Sequence, residues 1–197
     1  MASGDAEGSA IGEHPSGTVA AFFSTREKFR RALWYLVAGT LFRIPIRRAD
    51  GWRVFLLRCF GARVGRGCLI RRTAWIELPW NLTLGDGVML GEHCIIYNLG
   101  PMIIGDRAMV SQYAHLCGGS HDHSTREMML LRVPVRIGAD AWIAADAFIG
   151  PGVTVGEGTI VGARSSVFRD VPAWKICHGS PARVVRDRVL SDRTKAE

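Results

Sequence analysis

The chain has 197 residues, enough for one domain or for one domain with an appendage, and 48% of them are hydrophobic, enough for a substantial core. The net charge of +7 favours anionic partners, but no basic run interleaved with aromatic residues predicts binding to nucleic acid. The five cysteines lack CxxC spacing, no apolar run reaches the ~20 residues of a membrane span, and no signal-peptide pattern opens the sequence. We therefore expect a reduced, cytoplasmic protein.

The N-terminal region divides into a tail and a helix. Residues 1–24 are rich in Gly, Ser and Ala, and this composition predicts a disordered tail. Ser24 followed by Glu27 has the spacing of a capping box, which predicts that a helix opens here. Gly39 marks the expected end of this helix.

A second short helix is predicted for residues 52–60, where it stops at Gly61. Aromatic residues and arginines alternate through both helices. We interpret residues 25–62 as a helical cap on the end of the domain that follows, because a solenoid needs such a cap. The same pattern also fits a basic amphipathic helix on a membrane surface, and the two roles are compatible.

From Val64 onwards an aliphatic residue recurs at every sixth position, which matches neither the period of ~3.6 of a helix nor that of ~2 of a strand. The residues at this position are Val64, Ile70, Ile76, Leu84, Leu90, Ile96, Ile104, Val110, Leu116, Ile137, Ile143, Ile149, Val155, Val161 and Val167. Two steps of eight residues give the first half of the array a period of twenty, which predicts a three-sided coil with one longer corner. We therefore predict a parallel β-solenoid over residues 63–172, with the aliphatic side chains stacked inside.

The array is interrupted once, because twenty-one residues separate Leu116 from Ile137. The extra segment, residues 122–136, is predicted to be a loop outside the solenoid wall, and such insertions often mark a binding face. At the other end, Pro172 breaks the last hexad. Within the terminal region 173–197 we predict a turn and then a short helix over residues 183–190, which would cover the open edge of the sheet.

Several short motifs accompany the hexads. They are Leu41-Phe42-Arg43, Gly51-Trp52-Arg53, Leu56-Leu57-Arg58, Phe60-Gly61-Ala62, Pro79-Trp80-Asn81-Leu82, Tyr97-Asn98-Leu99, Ser120-His121-Asp122, Ala147-Phe148-Ile149-Gly150-Pro151-Gly152-Val153 and Gly179-Ser180-Pro181-Ala182. With them the chain resembles, over about residues 25 to 188, the hexapeptide-repeat acyltransferases, and among these the colanic-acid-type polysaccharide O-acetyltransferases. The resemblance implies a left-handed β-helix, a homotrimer, and acetyl-CoA as co-substrate.

His121 is the main candidate for catalysis. It ends its hexad where the predicted loop leaves, and a side chain with an unperturbed pKa of ~6.5 can take a proton near neutral pH. The residues alone also allow an incidental surface histidine. The resemblance implies that His121 deprotonates the acceptor hydroxyl, which then attacks the thioester. Asp122 either orients His121 or the acceptor, or starts the turn, and the role of His123 is left open.

Two other chemistries are considered for the same stretch. The histidines 115, 121 and 123 with Cys117 contain metal-ligand types, but successive hexads point around a corner, so we expect no metal site. Cys117 could act as a nucleophile beside His121, although its place after an inward leucine is more typical of a small wall residue.

The resemblance also assigns binding residues. Asn98 would lie near the acceptor, although a turn role at a coil corner also suits asparagine. The acetyl-CoA groove between subunits would be lined by Trp142, Ala144, Ala163, Arg169 and Arg183, with the two arginines near the phosphates. Where relatives often have threonine this chain has Phe168, so one hydrogen bond to CoA is expected to be missing.

The leading hypothesis is an acetyl-CoA-dependent O-acetyltransferase that modifies a sugar, a nucleotide sugar or a lipid-linked glycan in exopolysaccharide or related glycan biosynthesis. A second hypothesis is a non-catalytic β-solenoid that scaffolds a glycan assembly at the inner face of a membrane. A third, a metal-dependent solenoid similar to the γ-carbonic anhydrases, needs three facing histidines that the spacing does not supply.

Overall fold

Short strands follow one another at the hexad spacing along most of the chain. The computed structural model describes residues 19–20, 23–44 and 50–191. Three parallel sheets form the three walls of the solenoid. Wall 1 consists of β2 (Arg63–Val64), β5 (Leu82–Leu84), β8 (Met102–Ile104), β13 (Val135–Ile137) and β16 (Thr154–Val155). Wall 2 consists of β3 (Leu69–Ile70), β6 (Met89–Leu90), β9 (Met109–Val110), β14 (Trp142–Ile143) and β17 (Ile160–Val161). Wall 3 consists of β4 (Trp75–Ile76), β7 (Ile95–Tyr97), β10 (His115–Cys117), β15 (Phe148–Ile149) and β18 (Ser166–Val167).

The predicted inward column of aliphatic residues is confirmed, since all fifteen of these side chains are buried. Their stacking follows the strand register: Val64 lies beside Leu84, and Leu84 beside Ile104. Neighbouring coils therefore bury the same position against each other, which is why one coil could not be stable alone.

The two N-terminal helices cover the first coil. Helix α1 (Thr25–Gly39) starts at Ser24, whose Oγ accepts a hydrogen bond from the Glu27 amide at 3.2 Å. Helix α2 (Asp50–Cys59) buries Val54, Leu56 and Leu57 and contacts β2 and β3. Short 3₁₀ turns lie at Leu41–Arg43 and Pro79–Asn81. The predicted end cap is thus present, with α2 beginning two residues earlier than expected.

Trp34 joins α1 to the solenoid. Its ring is buried, packs against Phe42 and Phe60, and donates its Nε1 hydrogen to the carbonyl of Ile76 at 2.7 Å. This hydrogen bond satisfies the polar atom of an otherwise apolar side chain, as a buried indole requires.

The predicted C-terminal helix over residues 183–190 is wrong. After β19 (Lys175–Gly179) the chain turns and runs back as β20 (Ala182–Asp187), antiparallel to β19 at the end of wall 2. The consecutive β-branched residues Val184 and Val185 favour a strand, and β19 offers an open edge for it to pair with. The open edge is therefore covered as expected, but by a strand.

Two other boundaries differ from the prediction. Most of the expected tail lies outside the described residues, but Val19–Ala20 form a strand, β1, which pairs with β12 (Leu130–Arg132). The expected loop over residues 122–136 contains that strand, and it is preceded by β11 (Gly119–His121). Strands β11 and β12 form an antiparallel hairpin, residues 119–132, which we call the arm.

Candidate active site

The arm leaves wall 3 at a crossing of three backbone segments. The amide of Gly118 donates to the Tyr97 carbonyl at 2.7 Å, and the amides of Gly100 and Val133 both donate to the Gly118 carbonyl at 3.0 Å. A Cβ on Gly100 would lie 2.5 Å from the carbonyl oxygen of Val133. A side chain at position 100 would therefore push the returning strand away, so the sequence needs glycine there.

His121 lies near the tip of the arm, opposite Leu130 in the hairpin register, and its side chain is exposed. Its Nδ1 lies 2.6 Å from the carbonyl oxygen of Met128. Because a carbonyl oxygen only accepts, Nδ1 is the nitrogen that carries the hydrogen and donates it. In the neutral ring Nε2 then holds the free lone pair, which is the form that a general base needs.

Asp122 shapes the tip of the arm. Its Oδ1 accepts hydrogen bonds from the amide of Ser124 at 3.0 Å and from the Ser124 hydroxyl at 2.5 Å, while its own amide donates to the Met129 carbonyl at 2.8 Å. This pattern is typical of an aspartate that starts a turn and favours that alternative for Asp122. His123, the next residue, is exposed.

An ion pair braces the arm against helix α1. Two guanidinium nitrogens of Arg132 donate to the two carboxylate oxygens of Glu27, each at 2.8 Å, and both side chains are mostly buried. The Phe23 ring lies against Arg132, with its centroid 4.6 Å from the guanidinium carbon. Arg132 stands opposite Gly119 at the base of the hairpin, so the brace fixes the arm that carries His121.

A second polar cluster lies between α1 and wall 3. The carboxylate of Glu77 is buried and accepts hydrogen bonds from Arg31, Tyr35 and, at 2.9 Å, from Nε1 of Trp75. Burial and the hydrogen bond to Glu77 raise the pKa of Tyr35 to about 12, so it remains a phenol at neutral pH. Sequence reasoning missed this cluster and the Glu27–Arg132 brace, because no local pattern relates residues 46 or 105 positions apart.

Cys117 is a poor nucleophile in this setting. Burial raises the pKa of its thiol, and Sγ donates to the carbonyl oxygen of Gly119, with 3.2 Å between the two atoms.

His115, two residues earlier, lies edge-to-face against Tyr97 and Phe148, and burial lowers its pKa, so the ring is neutral. Nowhere in residues 19–20, 23–44 and 50–191 do three His, Cys, Asp or Glu side chains group closely enough to hold a metal ion.

The structure gives Asn98 a structural role. Its side chain is fully buried, donates to the Leu78 carbonyl at 2.6 Å and accepts from the Leu78 amide at 3.0 Å. Both ends of the amide are thus hydrogen-bonded to one backbone segment. Its side chain thereby links two neighbouring coils at the corner between walls 3 and 1, and its contact with an acceptor stays a prediction.

The residues predicted to bind the acyl donor lie on the last coils. Trp142 is 39% exposed on wall 2, and its Nε1 donates to the Ser111 hydroxyl at 2.9 Å, which fixes the ring plane. Ala144 is buried, and its amide donates to the Val161 carbonyl at 2.9 Å. Its carbonyl accepts from the Ala147 amide at 3.3 Å and keeps a second lone pair that could contact a ligand. Ala163 is exposed at the equivalent corner one coil later.

Arg169 and Arg183 are both exposed, and neither side chain forms an ion pair with a described residue. Near Trp142, wall 2 carries a shallow depression of about 350 Å³ lined by residues that include Met109 and Ser111. The described residues of one chain therefore offer the cationic groups and a flat aromatic surface, and the depression near Trp142 is too shallow to bury a ligand as long as CoA.

Comparison with known proteins gives a consistent result. Residues 134–169 match the family model described as bacterial transferase hexapeptide (six repeats). A protein of Escherichia coli named as a colanic acid biosynthesis acetyltransferase, WcaF, is 46% identical over 160 residues, which cover 81% of this chain and 88% of the relative.

Two solved structures share the fold. A maltose O-acetyltransferase from Clostridium difficile has a TM-score of 0.76 and 23% identity, with 85% of this chain and 90% of that chain covered. A hexapeptide-repeat acetyltransferase from Vibrio cholerae complexed with acetyl coenzyme A has a TM-score of 0.73 and 24% identity, with 85% and 91% covered.

Proposed function

The chain belongs to the hexapeptide-repeat acetyltransferases with their left-handed β-helix, and from this membership we propose that it transfers the acetyl group of acetyl-CoA to a sugar hydroxyl, with His121 as the general base. The observation that carries the proposal is the contact between Nδ1 of His121 and the Met128 carbonyl, because it leaves Nε2 as a proton acceptor on an exposed ring.

The reaction follows from that tautomer. Nε2 of His121 takes the proton of the acceptor hydroxyl as its oxygen forms a bond to the thioester carbon. The tetrahedral intermediate then expels the CoA thiolate, which takes the proton back from Nε2, so that the products are the acetyl ester and free CoA. The Met128 carbonyl accepts from Nδ1 throughout and stabilises the imidazolium that forms between the two steps.

A sugar is the acceptor that the relatives favour. One is named for colanic acid biosynthesis and another for maltose O-acetylation, and both names describe acetylated carbohydrates. We propose a sugar, nucleotide-sugar or lipid-linked glycan acceptor for this chain and place its reaction in exopolysaccharide or related glycan biosynthesis. The five cysteines, all free, and the need for acetyl-CoA fit a cytoplasmic enzyme.

We further propose that the active unit is a homotrimer that binds acetyl-CoA between neighbouring subunits. One wall is too flat to bury CoA, whereas three parallel prisms around a threefold axis form three equivalent grooves. Trp142, Ala144 and Ala163 would line the pantetheine arm, and Arg169 and Arg183 would meet the phosphates. Leu131 is buried within the arm, so the more exposed Met128 is the arm residue better placed to reach a neighbour.

Mass spectrometry tests the proposed function. The enzyme is incubated with acetyl-CoA and a panel of sugars, nucleotide sugars and lipid-linked oligosaccharides, and we expect one acceptor to gain the mass of a single acetyl ester while CoA is released. Acetyl-CoA binding without any acetylated product across the panel would favour the non-catalytic scaffold.

Light scattering tests the proposed homotrimer. We expect a mass of three times the chain mass of 21.6 kDa, and a fully active monomer would contradict the trimer.

A further inference from the structure

A group of exposed apolar side chains lies on the outer side of the two N-terminal helices. Its members are large side chains that are each more than a third exposed: Phe29, Leu33, Leu36, Leu41, Trp52 and Phe55. We call these six residues the apolar patch. Exposed apolar residues are ordinary when they are scattered, but a group this dense marks an interaction surface.

The patch is additional to what the fold needs from α1. Phe29, Leu33 and Leu36 are four and then three residues apart, so they form one stripe along the helix. Trp34 and Ala38, which pack onto the solenoid, lie on the other side of the helix and are buried. A helix that served only as a cap would need apolar residues on the buried face alone, and its exposed face would be polar.

Helix α2 repeats this arrangement, and the two stripes are connected. Trp52 and Phe55 stack with ring centroids 5.6 Å apart on the outer side of α2, while Leu56 and Leu57 are buried on its inner side. Nε1 of Trp52 donates to the Leu41 carbonyl at 3.0 Å, which links the aromatic pair to the turn that follows α1. The patch is thus held in one place by the backbone contacts of both helices.

Within the described residues 24–44 and 50–60, the charged side chains that lack an ion-pair partner are all positive. Arg26 and Lys28 flank the stripe on α1, and Arg43 follows Leu41; all three are exposed, and none of their side chains has a partner among the described residues. Between residues 24 and 60 the sequence contains only two acidic residues, and both are paired: Glu27 with Arg132, and Asp50 with Arg53. We call Arg26, Lys28 and Arg43 the basic rim of the patch; its positive charge is not compensated by a described acidic side chain.

We propose that the apolar patch docks on the surface of an anionic lipid bilayer, with α1 and α2 lying in the plane of the interface. The apolar side chains would enter the boundary between headgroups and acyl chains, and the basic rim would meet lipid phosphates. No helix among the described residues is long and apolar enough to cross a bilayer, so the contact is peripheral. A second copy of the chain is a worse occupant, because a symmetric contact would bring two positive rims together.

Vesicle flotation of the full chain tests the apolar part of the proposal. Vesicles of phosphatidylcholine mixed with phosphatidylglycerol are expected to carry the wild-type protein upward, and the variant Phe29→Ser, Leu36→Ser, Phe55→Ser is expected to lose at least about tenfold in binding. The control is Val189→Ser with Leu190→Ser, because these two apolar residues are also well exposed, at 86% and 62%, and lie near the other end of the chain. Equal flotation of the patch variant and the wild type would overturn the proposal.

The charge of the rim is tested separately. Arg26→Gln with Lys28→Gln should weaken binding to the anionic vesicles several-fold, and so should added salt, whereas Arg136→Gln with Arg186→Gln, which removes the same charge elsewhere, should not. Binding that is equal on pure phosphatidylcholine and insensitive to salt would overturn the assignment to anionic lipid. A patch variant with a changed oligomeric mass in light scattering would show instead that the patch joins copies of the chain.

Cys59 provides a direct measure of depth. It follows Phe55 by one helical turn on the outer side of α2 and is exposed, while Cys68, Cys94 and Cys177 are buried. An environment-sensitive fluorophore attached to Cys59 should shift its emission to the blue when phosphatidylglycerol vesicles are added. The Cys59→Ser variant, treated with the same fluorophore, is the control for labelling at other cysteines. An unchanged spectrum while the protein co-floats would mean that another surface binds the vesicles, which contradicts the proposal.

Discussion

The solenoid walls and the arm are built from equally short strands, but they are held in different ways. In wall 3, β10 pairs on both sides with parallel strands and buries Leu116 completely. In the arm, β12 is the one described strand that pairs with β11, and the position of the hairpin depends on the backbone crossing at Gly118 and on the Glu27–Arg132 brace. The repeat thus supplies a rigid frame, and the candidate base lies where the repeat stops and distant contacts take over.

The largest expected effect comes from charging the interior of the frame. Ile104 is fully buried on β8 and its neighbour Ile103 is 37% exposed on the outside of the same strand. Ile104→Asp places an unpaired carboxylate in the core, which costs several kcal/mol, so we expect little or no folded protein by circular dichroism. Ile103→Asp is the matched control and should lower the melting temperature by only a few degrees; equal melting of the two variants would contradict the inward register.

The sequence predicts the frame well because its contacts recur at fixed spacing. Val64, Leu84 and Ile104 stack because the spacing of twenty residues brings each onto the previous coil. The arm is different, since its brace joins residues 105 positions apart and Glu27 has the spacing of a capping residue for its own helix. In the structure Ser24 does cap that helix, but the Glu27 carboxylate binds Arg132. Local propensity likewise failed for residues 183–190, where an open sheet edge decides the conformation.

The second-largest effect is expected from a substitution at the base of the arm, where the arm joins the solenoid. In Gly100→Ala the added Cβ meets the Val133 backbone, and since neither segment can give way cheaply, we expect a destabilisation of about 1–3 kcal/mol. Turnover should fall by about tenfold or more, because the returning strand positions His121. Gly51→Ala in α2 has nothing within 4 Å and serves as the control, with full activity and unchanged or slightly higher stability. A Gly100→Ala enzyme with normal turnover would show that the arm tolerates displacement.

The brace should have a smaller effect that appears in kcat and not in donor binding. Glu27→Gln removes the charge opposite Arg132, so we expect kcat to fall by several-fold while KM for acetyl-CoA is unchanged, because Trp142 and the two arginines lie elsewhere. Glu157→Gln, an exposed acid on a coil corner, is the control. If KM for acetyl-CoA rises and kcat does not change, Glu27 acts on donor binding and not on the arm.

The smallest effect concerns the pH dependence of stability. Burial lowers the pKa of His115 in the folded protein, so the unfolded chain binds a proton more readily at this residue. Its contribution to stability is therefore present above the unfolded pKa of about 6.5 and is lost as the pH falls through the lower folded value. We expect His115→Phe, which keeps an aromatic ring beside Tyr97 and Phe148, to reduce the acid-induced drop in melting temperature by a few degrees. An identical drop in both proteins would assign the acid sensitivity to other groups.

The most direct test is the steady-state rate of acceptor-dependent CoA release in His121→Ala, measured together with acetyl-CoA affinity and melting temperature. Because His121 is exposed and the arm is held by Glu27 and Arg132, the variant should fold normally and bind acetyl-CoA as the wild type does. Its kcat should be lower by about 10²- to 10⁴-fold, because the variant lacks the Nε2 atom that takes the proton of the acceptor hydroxyl. Near-normal turnover in a correctly folded His121→Ala enzyme would contradict the account and remove His121 from the reaction.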